Sequence, residues 1–327
     1  MVQDRLHNGL IWAAIASLLL LSWTAQEAAA QAAIDNEVMI TVADNGVCVG
    51  VESQLAMFVE TVQAANVSNV LVLALDKQAY DFCAQHNLPA VLVPLEARTL
   101  HGSLLDLLVP DSVKGRKHNE VLGSQKFLLA RRIVERGYHV FLVDTDIVVI
   151  QNPFPFLVRD TDIECMSDGW TPETEHGAFY TEGDEGWFPH GRYSFVSLNT
   201  GTVYLRATNR TSRVLELVCQ RLTTENVWDQ HVFTEAVLKP SYKDYNGTGA
   251  TLRILDEHKF ANSKFLYKTL RHVNNKHEYA DTPRPVLLHF NAHAGKTSKP
   301  RRMRAAINHY LMGDSLEFME QGEGSWD

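Results

Sequence analysis

From residue 36 onward the chain alternates short apolar runs with stretches whose apolar residues recur at helical spacing. Val38 to Val42 reads as a strand, ended by a turn at Asp44-Asn45-Gly46. Val51, Leu55, Phe58, Val59 and Val62 share one helical face. Val70 to Leu75 and Leu88 to Leu95 are continuous apolar runs of strand length. Ser124 is placed to cap a helix bearing Phe127, Leu128, Ile133 and Val134, with Gly137 as its C-terminal stop. Val140-Phe141-Leu142-Val143 then reads as a further strand. Alternation of this kind predicts an α/β fold, a mostly parallel sheet covered by helices.

The second half is less regular. Residues 168–193 are rich in Gly, Glu and aromatics and show no period, as expected of a long functional loop. Its Trp170, Phe179, Tyr180, Trp187, Phe188 and Tyr193 suit either a platform for sugar rings or a packed surface flap. Phe195 to Leu198 and Val203 to Leu205 read as strands on either side of Asn199-Thr200-Gly201. Helical patterns follow near 211–222 and 228–238, and a last strand, Val286-Leu287-Leu288, ends in His289. No linker or repeat interrupts residues 36–312, which predicts one domain, with a leader over 1–35 and a tail over 313–327.

The strand at 140–143 delivers two carboxylates, Asp144 and Asp146, to its carboxyl end. Ligand sites in open α/β sheets lie at that end. Paired hard oxygen ligands there suit Mn²⁺ or Mg²⁺, and such a metal commonly holds a diphosphate. Asp160-Thr161-Asp162 repeats the triplet but precedes the apolar Ile163-Glu164-Cys165-Met166. It therefore starts a strand, which puts it at the opposite edge of a parallel sheet, as a solvated acidic turn.

Composition narrows the field. An apolar content of 45% supports a sizeable core, and a net charge of −9 argues against a nucleic-acid partner. Leu10 to Trp23 is apolar except for Ser17 and Ser22, which reads as a membrane anchor or, with Ala28-Ala29-Ala30 as a processing site, a cleaved signal peptide. Both route the chain into the secretory pathway. Three Asn-x-Ser/Thr acceptors, at Asn66, Asn209 and Asn246, agree with a lumenal domain. The four cysteines (Cys48, Cys83, Cys165, Cys219) could pair there in three ways, although Cys165 in its apolar strand is at least as well read as a buried thiol.

His289 is followed by Asn291, Gly295 and Lys296, then by the basic Lys299, Arg301, Arg302 and Arg304. Gly and Lys suit close backbone approach and charge neutralisation at a phosphate. If the fold brings His289 to Asp146, two strands supply carboxylates and an imidazole to one metal, and the basic cluster would face the diphosphate.

Taken in order, Gly123-Ser124-Gln125-Lys126, the strand into Asp144-Thr145-Asp146, Asn152-Pro153-Phe154, Asn199-Thr200-Gly201, Trp228-Asp229-Gln230 and His289-x-Asn291 with Gly295 and Lys299 form a recognisable set. From Val38 to Leu311 the chain resembles the nucleotide-diphospho-sugar transferase domain of plant and algal glycosyltransferase family 77, a group of arabinosyl- and xylosyltransferases. The resemblance implies a single GT-A-type domain, a Rossmann-like mixed sheet flanked by helices. It also implies a UDP-sugar donor, a glycan or glycoprotein acceptor of the cell wall, a divalent metal, retention of configuration, and a type II Golgi membrane protein with a lumenal catalytic domain, or a secreted one after cleavage. Carried over by position, Asp146 and His289 would bind the metal with help from Asp144, which would also touch the ribose. Asp44 and Asn45 would approach uridine. Lys126, Lys296 and Lys299 would serve ribose or diphosphate. Asn199, Thr200, Gly201 and Asn291 with Gly295 would line the donor. Asp229 and Gln230 would sit near the anomeric carbon, although Asp229 also suits a helix N-terminal acid interacting with the dipole. The short C-terminus, with Asn308-His309-Tyr310, and the acidic 168–193 loop depart from the fuller plant enzymes.

Two other classes compete. A haloacid-dehalogenase-type phosphatase also places Asp-x-Asp after an apolar strand, but near the start of its domain and not before a run like Ile147-Val148-Val149-Ile150. A non-catalytic sugar-binding protein with a relict site would not be expected to keep Asp144, Asp146 and His289 together.

Overall fold

The computed structural model describes residues 25–48, 53–93, 118–170, 174, 196–225, 227–239, 241, 246–269, 284–291 and 298–313. Strands β1 (Glu37–Ala43), β2 (Val70–Ala74), β3 (Ala90–Leu92) and β4 (His139–Val143) run parallel. With β6 (Ile163–Ser167), β7 (Leu198–Leu205) and β8 (Leu252–Ile254) they form a seven-stranded sheet in the order β3-β2-β1-β4-β7-β6-β8. β7 is antiparallel to both neighbours, so β6 points the same way as β4. This is the mixed, Rossmann-like sheet expected.

Side chains alternate across each strand, and the two faces carry separate cores. Val38, Ile40, Val140 and Leu142 pack towards helices α4 (His118–Val134), α5 (Asn209–Thr224) and α6 (Asp229–Leu238). Met39, Phe141, Val143 and Tyr204 pack with Phe58 and Val62 of α2 (Gln54–Ala64) and Ala79 and Cys83 of α3 (Lys77–Gln85). A leading helix over residues 25–32 also lies on the first face, with Ala25 and Ala29 buried and Gln26 Nε2 donating to the Arg132 carbonyl at 3.1 Å. The apolar segment from Leu10 to Trp23 is outside the described residues. Among those described, no helix is long and apolar enough to cross a membrane.

Several sequence expectations change. α4 begins six residues before Ser124, which therefore lies inside the helix and does not cap it; Gly137, at φ +90°, ends the turn that follows. Of the run at Leu88 to Leu95, the described residues form a three-residue strand that starts directly after Pro89. Asp44-Asn45-Gly46 leads into a one-turn helix, α1 (Asn45–Cys48), with Gly46 N–H donating to Asp44 Oδ1 at 2.9 Å. The two strands expected around Asn199-Thr200-Gly201 are one continuous β7. The four cysteines are all buried free thiols, not disulfides. Burial pushes the thiols of Cys48 and Cys83 up to about 12.

The largest change concerns the strand ending in His289. β10 (Leu287–His289) does not join the main sheet. It lies between β5 (Ile147–Val149), antiparallel, and β9 (Phe260–Asn262), parallel. β5 starts directly after Asp146, and its Ile147 is the register partner of His289. A second three-stranded sheet therefore carries the histidine to the end of β4.

Candidate active site and metal centre

Asp144 and Asp146 leave β4 at its carboxyl end. Asp144 N–H donates to the Gly201 carbonyl at 3.0 Å, and Phe290 N–H donates to the Asp146 carbonyl at 3.0 Å. These bonds fix the pair between the main sheet and the small one. His289 Nε2 lies 3.2 Å from Asp146 Oδ1 and 3.9 Å from Asp144 Oδ2. One ligand atom from each of the three falls within 4.8 Å of the others. Asp146 and His289 are buried. Lys299 Nζ, from α7 (Ser298–Ile307), reaches Asp146 Oδ2 at 2.6 Å. Burial pushes the Asp146 carboxyl up, but the Lys299 ammonium and His289 beside it outweigh this and hold it well below the usual carboxylate range.

Asp146 Oδ1 is buried without an aligned hydrogen bond, despite the nearby imidazole nitrogen, and His289 Nδ1 has none either. Leaving such groups unmatched costs about 1–3 kcal/mol each. A divalent cation would remove that cost at the carboxylate, and two carboxylates with an imidazole are a donor set that can hold one. The three residues fit such an ion.

Gly201 makes room for the histidine. A Cβ at this position would overlap His289 Cε1 and lie 2.6 Å from Nε2, inside the ring's van der Waals surface. The backbone there is displaced for a visible reason. Along β6 and β7, Cys165 faces Val203 but Met166 faces Asn199, so Thr200, Gly201 and Thr202 bulge out of the β6 ladder. Bulges of this kind re-aim a strand beside active sites.

Asp229 opens α6 and is buried, as is Gln230. Lys126 Nζ bridges Asp144 Oδ1 and Asp229 Oδ2, each at 3.1 Å, and also donates to the Thr200 carbonyl at 3.1 Å. Gln230 Nε2 reaches Ser197 Oγ at 3.4 Å. Asp229 is thus both a helix N-terminal acid and a member of the cluster around Asp144. At the end of β1, Asp44 is buried, and Asn45 N–H donates to Asp76 Oδ2 at 2.7 Å.

The sequence profile of the family described as nucleotide-diphospho-sugar transferase matches residues 65–303. The chain belongs to the nucleotide-diphospho-sugar transferase family. It is similar to two curated proteins of Arabidopsis thaliana, the arabinosyltransferases RRA2 and RRA1, each 32% identical over 296 residues and 89% of this chain. Those alignments cover 64% and 68% of the relatives, so the chain spans just under two thirds of RRA2. A solved galactosyltransferase, LgtC with donor and acceptor analogues, overlaps 87% of this chain and 99% of its own at 14% identity and a TM-score of 0.46. An overlap that loose adds nothing to the family assignment.

In this transferase-family site, one hub was not anticipated. Asp168 Oδ1 accepts from Asn291 Nδ2 at 2.7 Å and Asn199 Nδ2 at 3.1 Å, and Asp168 Oδ2 accepts from Lys264 Nζ at 2.6 Å. Asn291 Oδ1 accepts from Ser263 Oγ at 2.8 Å, and Asn199 Oδ1 accepts from Gly201 N–H at 3.0 Å. The signal was present, since Asp168 follows an apolar strand just as Asp144 does.

The basic cluster does not face the centre as a body. The helical period of α7 sends Lys299 to Asp146, Arg304 to Glu60 at 2.9 Å, Arg302 into a buried position over the Tyr267 ring, and Arg301 to solvent. Gly295 and Lys296 lie outside the described residues, as do the loop aromatics other than Trp170. Lys264 stacks 5.4 Å from the centre of the Trp170 ring.

Proposed function

We propose that the chain is a metal-dependent, retaining glycosyltransferase. In this reading it moves a pentose such as arabinose or xylose, or a galactose, from a UDP-sugar to a cell-wall glycan or glycoprotein. The carrying observation is the Asp144–Asp146–His289 cluster with its unmatched Asp146 oxygen, at the carboxyl end of β4 in a member of this family. Both Arabidopsis relatives carry the name arabinosyltransferase, which favours a pentose donor.

A divalent ion held by Asp144, Asp146 and His289, Mn²⁺ by preference, would supply the positive charge that stabilises the departing diphosphate. Lys299, already at the rim of that cluster, adds a cation aimed at the same charge. Asp44 and Asn45 sit where the uracil and ribose would lie, at the end of β1. Asn199, Thr200 and Gly201 line the donor sugar along the bulge, with Asn291 beside them. The Asp229 carboxylate stabilises oxocarbenium character at the anomeric carbon or attacks it, and Gln230 orients the sugar.

The proposed setting is the Golgi lumen, anchored through Leu10 to Trp23. Exposure of Asn66, Asn209 and Asn246 supports it, since glycan attachment needs accessible acceptors.

The test is UDP release across a panel of UDP-sugars, with Mn²⁺ and with chelator. The expected result is activity with one or two UDP-pentoses or UDP-galactose that chelator abolishes. Activity indifferent to metal would sink the reading, and Mn²⁺-dependent UDP binding without turnover of any donor would favour a relict sugar-binding protein.

A further inference from the structure

We propose that Gly123 and Lys126, three residues apart on α4, form a cradle that positions the Asp229 carboxylate, and that Lys126 acts through Asp229 and Asp144 and not on the donor. The inference rests on the transferase reading above, in which Asp229 stands beside the reacting carbon.

A lysine ammonium has three protons to donate. Lys126 Nζ meets Asp144 Oδ1, Asp229 Oδ2 and the Thr200 carbonyl, each at 3.1 Å, with Thr200 Oγ1 at 3.4 Å. The protein therefore consumes all three protons, and the side chain is only 8% exposed. A donor phosphate or ribose could bind this ammonium only by displacing one of these partners. That departs from the expectation that Lys126 serves the donor directly.

Gly123 contributes by what it lacks. A Cβ there would lie 2.8 Å from both Cγ and Oδ2 of Asp229 and 3.2 Å from its Cβ. The carboxylate cannot retreat freely, because the same Oδ2 is held by Lys126 and lies 3.4 Å from Thr200 Oγ1. Residues three apart share a helix face. One face of α4 thus offers a recess at one position and a cation at the next turn, both directed at one carboxylate. Asp144 belongs to the metal centre and Asp229 opens α6. Lys126 between them offsets their mutual repulsion and fixes their spacing, joining the metal half of the site to the sugar half.

The experiment compares full-length Gly123→Ala, Lys126→Met and Asp229→Asn with wild type. It reads the calorimetric Kd for UDP with Mn²⁺, kcat for UDP release from the best donor, and Tm. Alanine is the better helix former, which offsets part of the cost of crowding Asp229, so Gly123→Ala should remain folded at the assay temperature with a modestly lowered Tm. It should lower kcat about a hundredfold, the usual consequence of ångström-scale misplacement. Its UDP–Mn²⁺ affinity should stay within about twofold, because uniform binding is untouched. Lys126→Met should likewise lose far more kcat than UDP affinity. An unchanged kcat in Gly123→Ala beside an inactive Asp229→Asn would overturn the cradle alone. UDP affinity falling as far as kcat in Lys126→Met, with the Kd for Mn²⁺ alone unchanged, would make Lys126 a donor ligand and overturn it too, whereas a parallel fall in Mn²⁺ affinity would show it acting through Asp144. Unchanged kcat in Asp229→Asn would instead remove the role assigned to Asp229, and the cradle with it. If Gly123→Ala is not folded at the assay temperature, Lys126→Met decides by the same split.

Discussion

Asp144-Thr145-Asp146 and Asp160-Thr161-Asp162 have the same three letters at opposite edges of one sheet, and their carboxylates are treated in opposite ways. The second pair is fully engaged. Asp162 Oδ2 accepts from Thr251 N–H at 2.9 Å and Thr251 Oγ1 at 2.8 Å, while Oδ1 accepts from Thr208 Oγ1 at 2.8 Å. Asp160 pairs with the Arg253 guanidinium. This copy ties the start of β6 to the start of α5 and to β8. The first pair keeps an oxygen uncommitted, at Asp146 Oδ1, and is ringed by His289, Lys299 and Lys126. A carboxylate whose oxygens are all matched holds a fold together, and one left with spare acceptor capacity beside cations is available to a ligand.

Substitutions should separate the two copies. Asp146→Ala should reduce UDP release by about a thousandfold or more and abolish Mn²⁺ binding by the free protein, since it removes a predicted metal ligand and the partner of Lys299. Gly201→Ala comes next. Its Cβ would collide with the His289 ring, so Mn²⁺ affinity measured by electron paramagnetic resonance should fall about 10–100-fold. A wild-type affinity in Gly201→Ala would mean that His289 is not a ligand.

At the other edge, Asp162→Ala should leave Mn²⁺ affinity unchanged but cost about 1–3 kcal/mol of stability, because the buried carboxylate loses its hydrogen bonds from the Thr251 N–H and hydroxyl and from the Thr208 hydroxyl. Its pH dependence has a definite sign. Burial pushes the Asp162 carboxyl up, but hydrogen bonds from Thr251 and Thr208 outweigh this and hold it below its ordinary value. Its contribution is therefore complete above the unfolded carboxylate pKa, about 4, and is lost as pH falls through the depressed folded value. Tm should thus fall less steeply below about pH 4 in Asp162→Asn than in wild type. Asp160→Ala, at an exposed pair, should change neither Tm nor turnover measurably. Loss of metal binding in either of these variants would erase the distinction.

Strand polarity gave the orientation of the two copies from sequence alone, but the second is not the solvated turn expected, since Asp162 is buried and bonded through both oxygens. An apolar run before Asp144 and after Asp162 orients each pair, and the observed direction of β6 relative to β4 agrees. The meeting of His289 with Asp146 was a conditional expectation that no pattern in the chain could decide. β5, β9 and β10 are each three residues long, too short for alternation to declare which sheet they join. The start of α4 was misplaced because nothing in the sequence tells a Ser inside a helix from a Ser at its cap. Partner choice was hidden as well. Lys126 and Lys299 look alike in sequence, yet one is enclosed by two carboxylates and the other stands at the rim of the metal cluster. Asp168 obeyed the same strand-end rule as Asp144, but the aperiodic stretch after it concealed that it closes a β-strand.

The small sheet sets an order of events during synthesis. Asp144, Asp146 and β5 leave the ribosome early, while β10, His289 and Lys299 follow only after β6 to β9, α5 and α6 have been made. At about 5–20 residues per second, the nascent chain carries the acidic pair for many seconds without its imidazole or rim ammonium. β10 must then find β5 across a long stretch of intervening chain, a slow kind of contact to form. Uptake of a divalent ion by this cluster would therefore belong to the end of folding, and a chain that had bound one would already have brought its last strand home.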